Sequence, residues 1–154
     1  FDRLVRAVDE LAPGLQEPIF GQIGKNATYK PRNFEFCLDM RPTEFEQRFR
    51  SARVILSHAG IGTILGARKH GKPIVIVPRQ ARFGEHRNDH QLATCAQLKG
   101  KSGIYVAAEP ETLLDILKSP DLQVPANAES SPDRIRLING IRDFTRNLTF
   151  SRVS

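Results

Sequence analysis

The order of apolar and polar residues along this chain predicts helices alternating with strands. Leu4, Val5, Val8 and Leu11 recur at helical spacing, which predicts an opening helix that ends near Pro13 and Gly14. Short apolar runs bounded by glycine, proline or polar residues predict buried strands. The later predicted elements are strands at 18–23 and 34–38, a helix from Pro42, a strand–turn–helix–strand unit at 54–78, a helix at 90–98, a strand at 104–106 and a helix at 110–117.

This alternation predicts an α/β fold, a Rossmann-like doubly wound parallel sheet with helices on both faces. The 154 residues suit a single domain spanning 1–154, with a Pro- and Ser-rich loop at 119–131 and a final helix at 132–150. A doubly wound domain normally begins with a strand, whereas this chain begins on a helix. We therefore expect a first strand and its turn to precede Phe1.

The sequence VILSHAGIGTILGARKHGKPIVIVP, residues 54–78, is the most informative stretch. Gly60 and Gly62 precede or open a helix, where backbone N–H groups and the helix dipole favour an anion such as a pyrophosphate. Thr63 adds a hydroxyl donor. The alternative is that the glycines only form a tight turn and allow close packing of helix on strand, because a Gly-x-Gly spacing is weak by itself.

His58 lies at the carboxyl end of the predicted strand, where open α/β sheets bind their ligands. It is a candidate for donating a hydrogen bond to a phosphate or sugar oxygen of a bound ligand. The alternative is a histidine that only caps the turn. Ser57 lacks the surroundings of a nucleophile elbow. No nucleophile–base set is recognisable, so we expect any catalytic base to lie outside this chain or in a missing segment.

The loop at 78–91 follows the next strand and should lie beside the first turn. Arg79 and the charged or amide side chains after it suit phosphate or sugar hydroxyl groups, although a solvated loop leading into a helix is an equal alternative. His86 and His90 are four residues apart, but no third ligand of suitable spacing is evident, so no metal site is predicted.

Composition narrows the class of partner. The net charge of +6 and the pI of about 9.7 favour anionic partners. Aromatic residues do not interleave with the basic ones, which disfavours nucleic acid. Cys37 and Cys95 lie in apolar runs without metal spacing and predict buried free thiols in a reducing compartment, hence a cytoplasmic protein. No apolar run is long enough to cross a membrane.

Three motifs together carry a resemblance to a known family: Ser-His-Ala-Gly-x-Gly-Thr at 57–63, Gly-Lys-Pro-Ile-Val-Ile-Val-Pro-Arg at 71–79 and Asn-Asp-His-Gln-Leu at 88–92. They resemble the C-terminal, donor-binding domain of family 28 glycosyltransferases, over most of the chain to about Val106. Within that family the chain looks most like small standalone subunits. These are the cytosolic subunit of the eukaryotic dolichol-linked N-acetylglucosamine transferase and bacterial exopolysaccharide galactosyl- or glucuronosyltransferase subunits.

The resemblance implies one lobe of a two-lobed GT-B enzyme and a set of substrate-binding residues. It assigns the pyrophosphate to Ser57, His58, Gly60, Gly62 and Thr63. It places Glu85, His86, Asp89, His90 and Gln91 against the sugar and ribose. Many relatives carry a glutamate that holds the ribose hydroxyls at the position occupied here by Gly66. Three alternatives follow: the ribose is held differently, the nucleotide preference has shifted, or donor binding is weaker.

The implied reaction transfers a hexose or N-acetylhexosamine from a UDP-sugar, a substrate rather than a cofactor, to a polyprenyl-pyrophosphate-linked saccharide. No cofactor is implied. A membrane-anchored partner subunit would bind this acceptor and supply the base. The protein would then be peripheral at the inner face of the membrane.

Two other classes of function are consistent with the same sequence. One is a nucleotide-sugar-binding module without turnover, which Gly66 favours. The other is an epimerase acting on UDP-N-acetylhexosamine, which is disfavoured because it needs both lobes in one chain.

The predicted final helix carries Ile141 and Phe144 on its apolar face, with arginines beside it. It either docks on a partner or membrane or packs on its own sheet.

Overall fold

The computed structural model describes residues 1–125, in which helices and strands alternate except that two strands follow each other after the first helix. The helices are α1 (Asp2–Leu11), α2 (Pro42–Ser51), α3 (Ile61–Lys69), α4 (His90–Leu98) and α5 (Pro110–Lys118). The strands are β1 (Phe20–Gln22), β2 (Glu35–Cys37), β3 (Ile55–His58), β4 (Ile74–Val77) and β5 (Ile104–Val106). The elements predicted within these residues are confirmed. Their ends differ from the prediction by at most two residues, except that α1 ends at Leu11 and a 3₁₀ turn continues to Gly14.

All the strand pairs of the described residues are parallel, but they form two sheets. β1 pairs with β2, while β3, β4 and β5 pair in that order. His58 lies opposite Val77, so β3 and β4 end level with each other at one edge of the sheet. The turn after β3 and the loop after β4 therefore lie side by side, as the sequence predicted.

The second sheet is covered on both faces, which confirms the doubly wound α/β class. Side chains of β4 alternate between two apolar clusters, as the period of a strand requires. Ile74 and Ile76 pack with residues of α2, α3 and α4. Val75 and Val77 pack with residues of α1 and α5. All four β4 residues are at most 5% exposed, so β4 is the central strand of the core.

A buried carboxylate fixes α1 against the loop that precedes β2. Asp9 accepts hydrogen bonds from the Tyr29 hydroxyl at 2.6 Å and from the backbone N–H groups of Arg32 and Asn33 at 2.9 and 2.7 Å. Burial alone would raise the pKa of Asp9, but these donors outweigh it and lower the pKa. The carboxylate therefore stays ionised and holds α1 in place relative to the first sheet.

The two cysteines are free thiols, as predicted. Cys95 is buried in the core between α4 and the sheet, and burial raises its pKa to about 11, so the thiol is protonated and unreactive at neutral pH. Cys37 is only partly buried. Within residues 1–125, none of the helices has the length and apolar content needed to cross a membrane. The predicted final helix at 132–150 lies outside the described residues.

Candidate functional site

The first turn of α3 presents backbone donors at the carboxyl edge of the sheet. Gly60 takes the N-cap position in extended conformation, and no side chain caps the helix. The N–H groups at the start of a helix have no acceptor within it, and here Ile61 and Gly62 are exposed. Together with the helix dipole, these donors form a cradle of the kind that binds a phosphate group.

The two glycines of this cradle serve different purposes. A Cβ added at Gly60 would lie 2.2 Å from Cε1 of His58, so the absence of a side chain makes room for the imidazole. A Cβ added at Gly62 would meet no atom within 4 Å, so the space in front of it is open. Packing therefore explains Gly60 but not Gly62, where the free space is available to a ligand.

His58 is oriented by the buried side chain of Gln91. The Gln91 Oε1 atom accepts the backbone N–H of Arg79 at 3.0 Å, which directs its Nε2 group towards Nδ1 of His58 at 3.5 Å. Because Gln91 Nε2 is a donor, Nδ1 of His58 takes the acceptor role and its Nε2 carries the proton. Gln91, in the first turn of α4, thus favours the tautomer of His58 that has an Nε2–H to donate to a ligand oxygen.

The charges around His58 attract an anion. Its pKa is lowered first by burial and then by the guanidinium of Arg79. The free imidazole is therefore neutral at pH 7. Since the Arg79 guanidinium is always positive, the same surroundings that disfavour an imidazolium favour a bound phosphate.

A bound diphosphate should therefore raise the pKa of His58. An anion within a few ångströms shifts a neighbouring pKa by about 1–3 units, so we expect a rise of at least about one unit when UDP binds. Because the bound pKa exceeds the free one, affinity should increase as the pH falls through the bound pKa and level off below the free pKa. NMR titration of the imidazole protons with and without UDP measures both values.

His70 at the other end of α3 serves as the internal control for that titration. Its ring lies against Phe49 and beside Glu46, far along the helix from the cradle. Its titration curve should not change with UDP. Equal His58 curves with and without bound UDP would show that the diphosphate does not sit at this imidazole.

Glu85, which the resemblance assigns to the sugar or ribose, is engaged by the protein itself. Its two oxygens accept Nε and Nη2 of Arg3 at 2.8 and 3.0 Å, and one also accepts the backbone N–H of Gln80 at 3.0 Å. Burial alone would raise the pKa of Glu85, but these donors lower it. The carboxylate thereby ties the loop after β4 to α1, and its contact with a substrate stays a prediction.

The other predicted loop residues lie further along the same edge. Asp89 accepts the backbone N–H of Ala81 at 2.8 Å and so closes the loop on itself. The rings of His86 and His90 meet edge to face with centroids 4.4 Å apart, and Asn88 contacts His90 Nδ1. In residues 1–125 no group of three potential ligands surrounds a metal position. His86 lies close enough to His58 to influence it, whereas His90 is exposed.

Arginines and aromatic rings alternate along the rim of the site, which corrects the expectation from the sequence that basic and aromatic residues do not interleave; the fold brings together residues that are far apart in the chain. The Arg79 and Arg3 guanidiniums each lie 5.3 Å from the Phe1 ring centroid, and Arg3 and Arg82 lie 4.9 and 4.5 Å from that of Phe83. Arg3 is neutralised by Glu85. Arg79 and Arg82 have no carboxylate partner among the described residues, so this rim adds positive charge beside the cradle.

A shallow cleft lies beside the site on the α1 and α5 side of the loop. It has a volume of about 190 Å³, and Leu4, Val77, Phe83 and Leu113 are among the residues that line it. His58, Gly60 and Gly62 are not among them. The cleft is therefore separate from the phosphate cradle.

The structure brings most of the predicted residues to one edge: Ser57, His58, Gly60, Gly62, Thr63, Arg79, His86 and Gln91. Sequence reasoning missed Arg3 and the ring of Phe1. Their positions depend on α1 starting at the carboxyl edge of the sheet. The sequence did contain a signal, because a helix comes before the first strand of this chain. In a doubly wound sheet each helix begins at the carboxyl edge, so the start of α1 could have been placed there.

A parallel sheet covered on both faces, with a free helix N-terminus and a histidine at its carboxyl edge, defines the class of α/β proteins that bind phosphorylated ligands. Residues 1–138 match the family model described as the glycosyltransferase family 28 C-terminal domain. The chain therefore belongs to this glycosyltransferase family. The comparisons with curated proteins and with solved structures found no match.

Proposed function

We propose that this chain is the UDP-sugar-binding catalytic subunit of a hexosyltransferase. It would transfer a hexose or an N-acetylhexosamine to a polyprenyl-pyrophosphate-linked acceptor in polysaccharide or lipid-linked oligosaccharide synthesis. Membership of the glycosyltransferase family supports the reaction class. The observation that carries the proposal is the open, uncapped N-terminus of α3 at Gly62, next to a neutral His58 in positive surroundings.

The chemistry assigned to this chain is stabilisation of the leaving group. When the bond between sugar C1 and the β-phosphate oxygen breaks, negative charge grows on UDP. The α3 amides and the Nε2–H of His58 are donors suited to that charge, and Arg79 adds a fixed positive charge. The acceptor hydroxyl forms the new bond to C1 and gives its proton to a base, which we assign to the partner subunit.

The partner is proposed to be membrane-anchored and to bind the lipid-linked saccharide. The resemblance to two-component enzymes supports this. The basic net charge of +6 also favours a position at an anionic membrane surface. The chain would then act at the inner face of the membrane, while its own part is to hold the donor.

The alternative function is nucleotide-sugar binding without turnover. Gly66 favours it, because the position where many relatives hold the ribose with a carboxylate has no side chain here. A Cβ at Gly66 would meet the Phe49 ring at 3.5 Å, an ordinary contact. A Cβ alone would therefore fit, and Gly66→Glu should tighten ribose binding if the lost carboxylate limits affinity.

Calorimetric titration tests donor binding directly. The panel comprises UDP-glucose, UDP-galactose, UDP-glucuronate and UDP-N-acetylglucosamine, with ADP-glucose and GDP-mannose as controls. We expect one UDP-sugar to bind best and His58→Ala to weaken that binding about tenfold or more, the loss of one hydrogen bond to a charged group. Preference for another nucleotide would contradict the assignment to UDP.

Transfer is tested with membranes from the source cells, which supply the acceptor and the partner. Label from the radioactive UDP-sugar should enter the lipid-extractable fraction when the chain is added, and less so with His58→Ala. Binding of a UDP-sugar without chain-dependent labelling would favour the alternative module.

A further inference from the structure

The cleft between α1 and α5 contains a buried side-chain amide. Gln80 lines this cleft and is only 6% exposed. Its backbone is held on both sides, because its N–H donates to the Glu85 carboxylate at 3.0 Å and its carbonyl oxygen accepts the N–H of Phe83 at 3.2 Å. Its side-chain amide forms no hydrogen bond with another residue of the part that the structure describes. The loop therefore fixes Gln80 in place without using its amide.

This amide adjoins the open space of the cleft. Within residues 1–125, the fully enclosed side-chain nitrogen and oxygen atoms without a hydrogen-bond partner are Oδ1 of Asp2 and Nε of Arg68. The Gln80 amide is not among them, so part of it stays accessible, and the space that Gln80 lines is the cleft. Buried polar groups are normally paired, and an unpaired one costs free energy. The amide therefore has hydrogen bonds to offer to a molecule in the cleft.

The other walls of the cleft suit an apolar body. Leu4, Val77 and Leu113 line it, and the last two are 5% and 1% exposed. The Phe83 ring also lines the cleft and is half exposed, so it can stack on an aromatic ligand. The volume of about 190 Å³ exceeds the roughly 150 Å³ in which a benzene molecule fits. The cleft therefore has room for one ring with a polar substituent.

The charged residues that line the cleft do not favour an ion. Arg3 is already paired with Glu85 at 2.8 Å. Arg82 and Glu109 are exposed and carry opposite charges. Net charge therefore does not select the ligand here, in contrast to the phosphate cradle, and the hydrogen bonds of Gln80 decide its chemistry.

A second amide is the group that satisfies the Gln80 side chain completely. A glutamine amide offers N–H donors and a carbonyl acceptor. A carboxylate would only accept and would leave Oε1 of Gln80 without a donor, while an amidinium would only donate. We propose that the cleft binds a small neutral carboxamide with an aromatic or branched apolar body, whose amide pairs with that of Gln80.

Three probes of the same shape test which polar group the cleft prefers. Benzamide donates and accepts hydrogen bonds, benzoate only accepts and benzamidine only donates. Each is titrated into the full chain to about 10 mM, which detects millimolar affinities, while NMR follows the methyl groups of Leu4, Val77 and Leu113. One hydrogen bond between uncharged groups changes affinity about two- to tenfold, so benzamide should bind at least about threefold more tightly than either ion. The methyl groups of Ile64 and Leu98, on the opposite face of the sheet, should not shift.

Gln80→Met tests the role of the amide itself, because it keeps the length of the side chain and removes both polar atoms. It should weaken benzamide about fivefold and abolish the preference over the two ions. Since the change removes no hydrogen bond within the described residues, the unfolding temperature should not fall. Gln97→Met, the same substitution at an exposed position of α4, is the matched control and should bind benzamide like the wild type.

The proposal is wrong if benzamide leaves the cleft methyl groups unshifted, or if benzoate or benzamidine binds as tightly as benzamide. It is also wrong if Gln80→Met binds benzamide like the wild type. A fall of several degrees in the unfolding temperature of Gln80→Met would contradict it as well, because the amide would then have a partner within the protein. The wild-type series decides the question even if the variant does not fold. Since no readout involves a nucleotide, this site and the proposed donor site succeed or fail independently.

Discussion

Gly62→Asp should abolish measurable donor binding without harming the fold. The open space at Gly62 accepts a side chain. An aspartate in the first turn of a helix also interacts favourably with the helix dipole. Replacing glycine there should stabilise the protein by up to about 1 kcal/mol. The same carboxylate would stand where the phosphate is proposed to bind, so we expect at least a 100-fold loss of UDP-sugar affinity, about 2.7 kcal/mol.

Gly62→Asn is the matched control, because it adds nearly the same volume without the charge. It should lose much less affinity than Gly62→Asp. Calorimetry measures the binding and thermal unfolding measures the stability of each variant. Equal affinity in wild type and Gly62→Asp would show that the ligand does not bind at the start of α3, whatever else the chain binds.

Glu85→Ala should cost about 2–3 kcal/mol of unfolding free energy. Removing the carboxylate leaves Nε of Arg3 and the Gln80 N–H without a partner in a largely buried position, while Nη2 of Arg3 keeps only the Pro78 carbonyl oxygen. Because the folded pKa of Glu85 is lowered, its stabilisation is present above the ordinary glutamate pKa and is lost as the pH falls below it. Urea unfolding at pH 7 and at pH 3–4 measures both effects.

Glu44→Ala supplies the control for this comparison. Glu44 pairs with Arg48 one turn away on α2, and both side chains are more than 40% exposed. Such a pair contributes about 0.5 kcal/mol or less. If Glu85→Ala behaved like Glu44→Ala in stability but lost donor affinity, the carboxylate would be a substrate contact, as the family resemblance implies, rather than the tie between the loop and α1.

The helices and strands were predictable from the sequence, and so was the part of the site formed by the turn between β3 and α3. Both depend on residues that are close together in the chain. The period of apolar residues fixed the helices, and the strand–glycine–helix order placed His58, Gly60 and Gly62 at the carboxyl edge. Gln91 was predicted as a ligand contact. Its contact with His58 depends on how the 78–91 loop folds back, which no short-range pattern encodes.

What the sequence by itself determined about this protein is its α/β class, its element order and the strand–glycine turn–helix unit at the start of α3. Only the tertiary structure decided which groups meet there: Arg3 contacts Glu85, Gln91 lies against His58, and the Phe1 ring lies beside Arg3 and Arg79. It also divided the sheet between β1 and β3. The physical reason is that strand pairing and side-chain partners join residues far apart in the chain, where packing in space sets the contact.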